Sequence, residues 1–412
     1  MIEEDCLSDS SIAQLAGSLG VTDRHLRRIF SAEYGVSPVQ YLQTRRLLLT
    51  KQLLTDTALP ITDIAFSAGF GSLRRFNDLF KKRYKLNPRE LRKTADTATN
   101  KNSNAFSLLL GYRPPYEWDT LLFFLSKRVI ATVEHVDDNT YHRTVTIQKG
   151  KTVYRGWISV SHIEKKTALL VTISCSLLPV LPKVVSRVRL LFDVNSDPLS
   201  VYEKLKTMNA VSPGLSVPGI RLPGCFDPFE MGVRAVLGQQ ITVKAASTLA
   251  SRLALTLGTK IDTPFELLTH TFPAAEDITR LSLPIENQLG PLGITSARSR
   301  SIFALAETMV NRSITLSQSS EIETEMQKLQ ALPGFGTWTV NYIAMRALAW
   351  PDAFPHTDYG IKKALPGMKE TELLKLADTW RPWRAYAAIN LWNSLEQKEK
   401  CETSFRFDIY SS

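Results

Sequence analysis

Two short stretches of the chain carry the residue types from which chemistry on a charged polymer could be built. The first is Leu329-Gln-Ala-Leu-Pro-Gly-Phe-Gly-Thr-Trp-Thr-Val-Asn-Tyr342 and the second is Phe354-Pro-His-Thr-Asp-Tyr359. A Leu-Pro-Gly-Phe-Gly turn between two helices exposes backbone amides, and Gly334 and Gly336 lack the Cβ that would keep a polyanion away. Such a turn, with Thr339 just beyond it, can hold a phosphate without reading base sequence. Downstream, Asp358 offers a fixed carboxylate that can stabilise developing positive charge and orient or deprotonate a water. Alone before Tyr359-Gly360-Ile361, that aspartate would read as a helix N-cap; the turn upstream favours chemistry. Trp338 and Tyr342 are four residues apart and share one side of a helix, where their faces suit an electron-poor ring.

The elements that position these residues belong to a chain of 412 residues, 44% hydrophobic, enough for two or three domains with ordinary cores. A net charge of +10 suits a polyanionic partner, nucleic acid above all. The four cysteines, Cys6, Cys175, Cys225 and Cys401, lie far apart, which argues against a zinc module, an iron–sulfur cluster or a disulfide framework. The acidic start Met1-Ile-Glu-Glu-Asp lacks signal-peptide character. The longest apolar runs, Thr120–Leu125 and Ala168–Leu181, read as core helix and core strand. A soluble, cytoplasmic, nucleoid-associated monomer with no membrane partner is expected.

Composition divides the chain into a helical section 1–94, a polar linker 95–104, a β-rich section 105–191 and a helical section 192–400. The section 105–191 is rich in β-branched runs such as Thr144-Val-Thr-Ile147, with a candidate helix Trp118–Val129 between strands. The fold class expected is multidomain and mainly α. It comprises an all-α double helix-turn-helix, a small α+β domain with an antiparallel sheet, and an all-α domain carrying the glycine hairpin.

The first section repeats itself. Ile12, Leu15, Ala16, Leu19, Gly20 and Val21 recur as Ile61, Ile64, Ala65, Ala68, Gly69 and Phe70; Leu26, Phe30, Tyr34 and Pro38 recur as Phe76, Phe80, Tyr84 and Pro88. Each copy reads helix, glycine turn, helix, with Thr22 or Ser72 as N-cap of the second helix. Leu26, Ile29 and Phe30 define one face of the first copy, so Arg24 and Arg28 point away from it. In the second copy Phe76, Leu79 and Phe80 face inward, Arg74 and Asp78 outward, with Lys81 nearby. Arginine can donate twice to guanine and aspartate can accept from cytosine. The run Lys81-Lys-Arg-Tyr-Lys85 suits phosphates.

Through Gly69-Phe-Gly-Ser-Leu-Arg-Arg-Phe-Asn-Asp-Leu-Phe-Lys-Lys-Arg-Tyr-Lys-Leu-Asn-Pro88, the first section resembles the DNA-binding domain of the AraC family of regulators. That resemblance implies two recognition helices in successive major grooves of promoter or operator DNA. From Ala105 to about Gln397 the chain is similar to the AlkA branch of the helix-hairpin-helix DNA glycosylases. The hairpin and Asp358 carry the likeness, together with Gly111-Tyr-Arg-Pro-Pro-Tyr-Glu-Trp118, Gly219-Ile-Arg-Leu-Pro-Gly-Cys-Phe-Asp227, Gly232-Val-Arg-Ala-Val-Leu-Gly-Gln239 and Trp380-Arg-Pro-Trp-Arg-Ala-Tyr386.

This second resemblance implies base excision repair of alkylation damage in double-stranded DNA. Bases of the 3-methyladenine and 7-methylguanine type would be flipped out and released by hydrolysis, with Asp358 catalytic. It implies a recognition cleft of Trp338, Tyr342, Trp392, Tyr359 and Phe124. Trp338 stands where lyase relatives carry a Schiff-base lysine, so no cutting of the backbone is expected. Gln240 replaces the relatives' intercalating leucine, leaving Gln240 or Ile241 as the wedge, and Asn393 replaces an aromatic residue. No cofactor is required; carbonyls of Gln330, Leu332 and Phe335 are implied holders of a sodium or potassium ion. The fusion points to an adaptive-response protein of the Ada type without the four-cysteine methyl-accepting zinc domain. The competing reading is an AraC/Ada-type transcription regulator whose glycosylase half is a sensor or inactive.

Overall fold

The computed structural model describes residues 12–93, 104–317 and 321–409. The linker expected over 95–104 therefore lies outside the described residues, apart from Asn104. The chain divides into two compact units, each discontinuous in sequence. One gathers Met1–Leu110, His142–Val188 and Ile261–Pro264; the other gathers Gly111–Tyr141, Arg189–Lys260 and Phe265–Ser412. Among the described residues no helix is long and apolar enough to cross a membrane.

The first unit opens with six helices: α1 (Ile12–Ser18), α2 (Asp23–Tyr34), α3 (Pro38–Asp56), α4 (Ile61–Ser67), α5 (Leu73–Tyr84) and α6 (Pro88–Lys93). Local chemistry sets their ends. The Thr22 and Ser72 hydroxyls each accept from the third amide beyond, His25 N and Arg75 N, both at 3.2 Å. Ser37 and Gln40 close a capping box with Pro38 in the first helical turn of α3. The two repeats stop alike, on left-handed caps at Gly35 (φ 66°) and Lys85 (φ 58°).

The repeats differ in packing. Ile64, Ala65, Ala68, Phe76 and Phe80 are fully buried in the second copy. In the first copy Phe30 is buried, but Ile29, expected on the inward face, is 52% exposed. Its place in the helix puts it at the edge of that face, and the small core of Ile12, Leu15 and Leu42, flanked by Leu26 and Val39, does not extend over it.

The sheet consists of β1 (Ala105–Gly111), β2 (Glu134–Asp137), β3 (Thr140–Lys149), β4 (Thr152–Ile163) and β5 (Ala168–Ser174), in the order β1-β5-β4-β3-β2. β4 and β5 run antiparallel with Ile158 opposite Ile173 and Val160 opposite Val171, and this aligned apolar face is buried. The apolar run Ala168–Leu181 is a strand only as far as Ser174; a 3-10 turn, Cys175–Val180, follows. Within this unit the Gln52 amide of α3 donates to the Leu109 carbonyl at 2.5 Å.

The second unit is mainly helical. α7 (Trp118–Ser126) buries Trp118, Leu121, Leu122, Phe124 and Leu125. The helix Pro228–Leu237 is N-capped by Asp227 and buried along most of its length. A Cβ at Gly232 would meet Leu305 Cδ2 at 2.5 Å, so a larger residue there would force the Leu305 side chain to shift. Arg234 ties this helix down: it pairs with Glu230 at 2.8 Å and with Glu134, and donates to the Arg128 carbonyl at 2.6 Å.

Candidate active site

The hairpin joins the helices Ile322–Gln330 and Thr337–Arg346. Gly334 adopts φ +79°, a conformation costly for other residues, and a Cβ there would lie 2.4 Å from Ser301 Oγ. The same Ser301 hydroxyl donates to the Pro333 carbonyl at 2.7 Å and pins the turn. Gly336 is the N-cap of the second helix, with no side-chain cap, and nothing lies within 4 Å of where its Cβ would be. The first amides of that helix are therefore available to an anion. Thr339, expected at the DNA-binding hairpin, turns its side chain inward. It is only 2% exposed, and its hydroxyl accepts from Gln239 Nε2 at 2.9 Å, leaving only its main-chain amide for a phosphate.

Gln239 also donates to the Gly334 carbonyl at 2.8 Å, and Arg298 donates to the Gln239 carbonyl. These bonds brace the turn between Leu237 and Val243 against the hairpin. At its tip Gln240 holds φ +55° and is exposed, and Ile241 is 36% exposed, so both wedge candidates project from a braced loop.

Asp358 caps the helix Tyr359–Ala364, its Oδ1 accepting from Ile361 N at 3.1 Å. The N-cap role and the site role coincide. Oδ1 also accepts from Trp392 Nε1 at 2.9 Å, and Oδ2 accepts from Trp338 Nε1 at 2.8 Å. The carboxylate is half-buried and held by three donors. Trp338 stacks on Tyr342, with centroids 5.1 Å apart and planes at 10°. Trp392 lies 6.3 Å from Tyr342 and stacks with Phe124 at 6.2 Å and 18°. Thus Trp338, Tyr342, Trp392 and Phe124 form one run of rings, from which the two indoles reach Asp358.

Tyr359 does not join that run. It is 80% exposed and has no ring partner among the described residues, because the first turn of its helix points it outward. Asn393 is buried, and neither side-chain amide atom has a partner among the described residues; it lines a small cavity with Phe124, Glu117 and Thr120. Burial pushes the Glu117 carboxyl above its usual range, with Asp119 adding to the rise.

Sequence reasoning missed Arg346 and Arg128. Arg346 is buried and donates to the Tyr342 hydroxyl at 2.7 Å. The spacing held a signal, since Trp338, Tyr342 and Arg346 recur every fourth residue on one helical side. Arg128 follows Phe124 at the same interval and donates to its carbonyl at 3.0 Å. Of the implied cation carbonyls, that of Leu332 accepts from Phe335 N at 3.2 Å.

In the other unit, the side chains expected to meet DNA are all exposed: Arg24 and Arg28 on α2, Arg74, Asp78 and Lys81 on α5. Arg28 lies 3.2 Å from His25 Nδ1, while Lys81, Lys82 and Arg83 crowd the last turn of α5.

Comparison with known proteins agrees with this architecture. Residues 107–227 match the AlkA N-terminal domain family and residues 15–94 a helix-turn-helix domain family. A Mycobacterium tuberculosis protein described as a probable bifunctional transcriptional activator/DNA repair enzyme AlkA is 33% identical over 96% of this chain and 79% of its own length. Escherichia coli DNA-3-methyladenine glycosylase 2 is 34% identical over 69% of this chain and 95% of its own. The 3-methyladenine DNA-glycosylase structure from Archaeoglobus fulgidus shares the fold, with a TM-score of 0.56 and 17% identity over 69% of this chain and 96% of that one. The hairpin, the capped aspartate and these matches together place the chain in the AlkA family of DNA-3-methyladenine glycosylases, in a form fused to an AraC-type helix-turn-helix domain.

Proposed function

We propose that the protein releases alkylated bases of the 3-methyladenine and 7-methylguanine type from duplex DNA by hydrolysis and leaves an abasic site. The carboxylate of Asp358, set by Trp338, Trp392 and Ile361 beside the phosphate-binding hairpin, carries this reading. Once the damaged nucleotide is flipped out, the C1′–N bond breaks and its electron pair returns to the base nitrogen, neutralising a base that the alkyl group had made cationic. The positive charge left on the sugar faces the Asp358 anion, which stabilises it. Water then bonds to C1′ and gives up a proton, with Asp358 orienting it. Gly334, Gly336 and the first amides of the following helix grip the backbone phosphate, and Gln240 or Ile241 fills the vacated stack.

The reaction stops at the abasic site, because Trp338 occupies the hairpin position and an indole nitrogen cannot form a Schiff base. The chemistry needs no cofactor. A sodium or potassium ion on the carbonyls of Gln330, Leu332 and Phe335 would brace the hairpin. The helix-turn-helix side chains Arg24, Arg28, Arg74, Asp78 and Lys81 read duplex DNA, operator sequence included, in line with the activator description of the mycobacterial relative. The protein acts as a cytoplasmic, nucleoid-associated monomer.

The test is release of free 3-methyladenine from methylated DNA by the wild type and by Asp358→Asn. Equal rates would remove Asp358 from the mechanism. Efficient borohydride trapping of a protein–DNA adduct would overturn the hydrolytic assignment.

A further inference from the structure

Two cations lie against the rings of Phe124 and Tyr342, and the mechanism above does not use them. The Arg128 guanidinium carbon lies 3.6 Å from the centroid of Phe124. That of Arg346 lies 5.1 Å from the same ring and 5.5 Å from Tyr342. Arg346 is 3% exposed, donating to the Tyr342 hydroxyl at 2.7 Å, to the Gly224 carbonyl at 3.1 Å and to the Pro223 carbonyl. No carboxylate pairs with it among the described residues. Arg128 donates to the Phe124 carbonyl, lies near Tyr342, and feels Glu396 as an anion and Arg346 as a like charge. Burial makes the charge of Arg128 costly and lowers its proton affinity.

The physical consequence is a run of rings whose electron-rich faces already serve the protein's own cations. A cation held against a ring competes with any second cation for the attraction of that ring, and it repels that cation directly. We infer that Arg128 and Arg346 set the enzyme's choice among lesions through the charge of the departing base: they weaken the stacking of a cationic base and stabilise negative charge on an uncharged purine as it leaves. This rests on the glycosylase reading and specifies the substrate class of that same site.

The two classes differ in where the electron pair goes. In a 7-methylguanine nucleotide the pair of the broken C1′–N9 bond cancels a positive charge already on the base, and the proton lost by the attacking water passes to solvent. In a hypoxanthine nucleotide the same pair leaves an anion, which takes up the equivalent of that proton. Only the second path builds negative charge opposite Arg128 and Arg346. Both arginines are positioning residues acting through Phe124, Tyr342 and their own field.

The test uses full-length protein and single-turnover release from two duplex oligonucleotides, one with a single 7-methylguanine and one with a single hypoxanthine. In Arg346→Met the hypoxanthine rate should fall about ten-fold or more beyond any fall in the 7-methylguanine rate. Arg346→Lys, which keeps the charge, should restore much of the ratio. Arg128→Gln removes the other, less buried cation and should shift the ratio in the same direction; it decides the matter if Arg346→Met does not fold. Equal losses on both duplexes, or a lysine variant no better than methionine, would overturn the inference. So would a wild type that releases 7-methylguanine and no hypoxanthine, although the glycosylase reading would then stand. A wild type that releases neither would sink both.

Discussion

Under the proposed function, the helix-turn-helix repeat and the base site would meet DNA with opposite physics. On α2 and α5 the working groups are exposed: Arg24, Arg28, Arg74, Asp78 and Lys81 stand in water, and a buried apolar face only orients them. Their attraction for phosphate is long-ranged but screened by salt. The proposed catalytic group, Asp358, is half-buried, with three hydrogen bonds to one carboxylate, two of them from indoles in a run of four rings. That arrangement reaches only a nucleotide brought into it, and it acts through fixed donors rather than through net charge. A surface reader tolerates variation in its outer residues as long as its core holds. A catalytic site depends on a few atoms staying where they are.

The sharpest way to break this contrast is to remove the core of the reader. Phe80 is fully buried and packs at a tilt against Tyr84 and Phe76, so Phe80→Ala should cost about 3–5 kcal/mol. A lowered first thermal transition and lost binding to undamaged duplex should accompany base release that is retained. Loss of both activities together would contradict the separation.

Asp358→Asn attacks the other side. Base release should drop about 10²–10³-fold, or roughly 3–4 kcal/mol of transition-state stabilisation, measured in single turnover. Duplex binding should persist, since the asparagine can still cap the helix Tyr359–Ala364.

A smaller effect is expected for Arg74→Ala, about 1–2 kcal/mol in affinity for operator DNA. Lys81→Ala should instead weaken binding to all sequences and lower the salt slope by about one. If Arg74→Ala weakened every sequence equally, its assignment to base edges would give way to a phosphate contact.

The smallest effect concerns the scaffold beside the site. Burial raises the Asp193 carboxyl to about 6, against opposing hydrogen bonds from Leu222 and Tyr386. A raised native value means that protonation favours the folded state. This contribution is present below about pH 4 and is lost as pH rises through 6. Denaturant unfolding of the wild type should therefore show about 1 kcal/mol more stability from this group at pH 5 than at pH 7. Asp193→Asn should flatten that difference; an unchanged pH profile would show that Asp193 does not titrate there.

What could be read along the chain followed from short-range rules. Thr22 and Ser72 cap helices because hydroxyls satisfy free amides three residues on, and both are found doing so. Gly334 sits at a positive φ as a tight hairpin demands, and the spacing of Trp338 and Tyr342 does bring their rings into a stack. The exposure of single side chains was not legible in the same way, since it depends on distant partners. Ile29 and Tyr359 are exposed, and Thr339 is buried, because their surroundings come from residues remote in sequence. The small first-copy core stops short of Ile29, and Gln239 claims the hydroxyl of Thr339.

The linear order of residues determined the repeat, the hairpin, the identity of the carboxylate and the family to which the chain belongs. These depend on local periodicity, backbone freedom and residue type, all of which operate over a few positions. Only the folded chain decided that Trp338 and Trp392 both point their indole N–H groups at Asp358, and that Arg128 and Arg346 back the rings. Those contacts join segments up to more than two hundred residues apart, such as Phe124 and Trp392. The loop-closure entropy of such pairs is met by the burial of whole helices, not by any spacing visible in the chain.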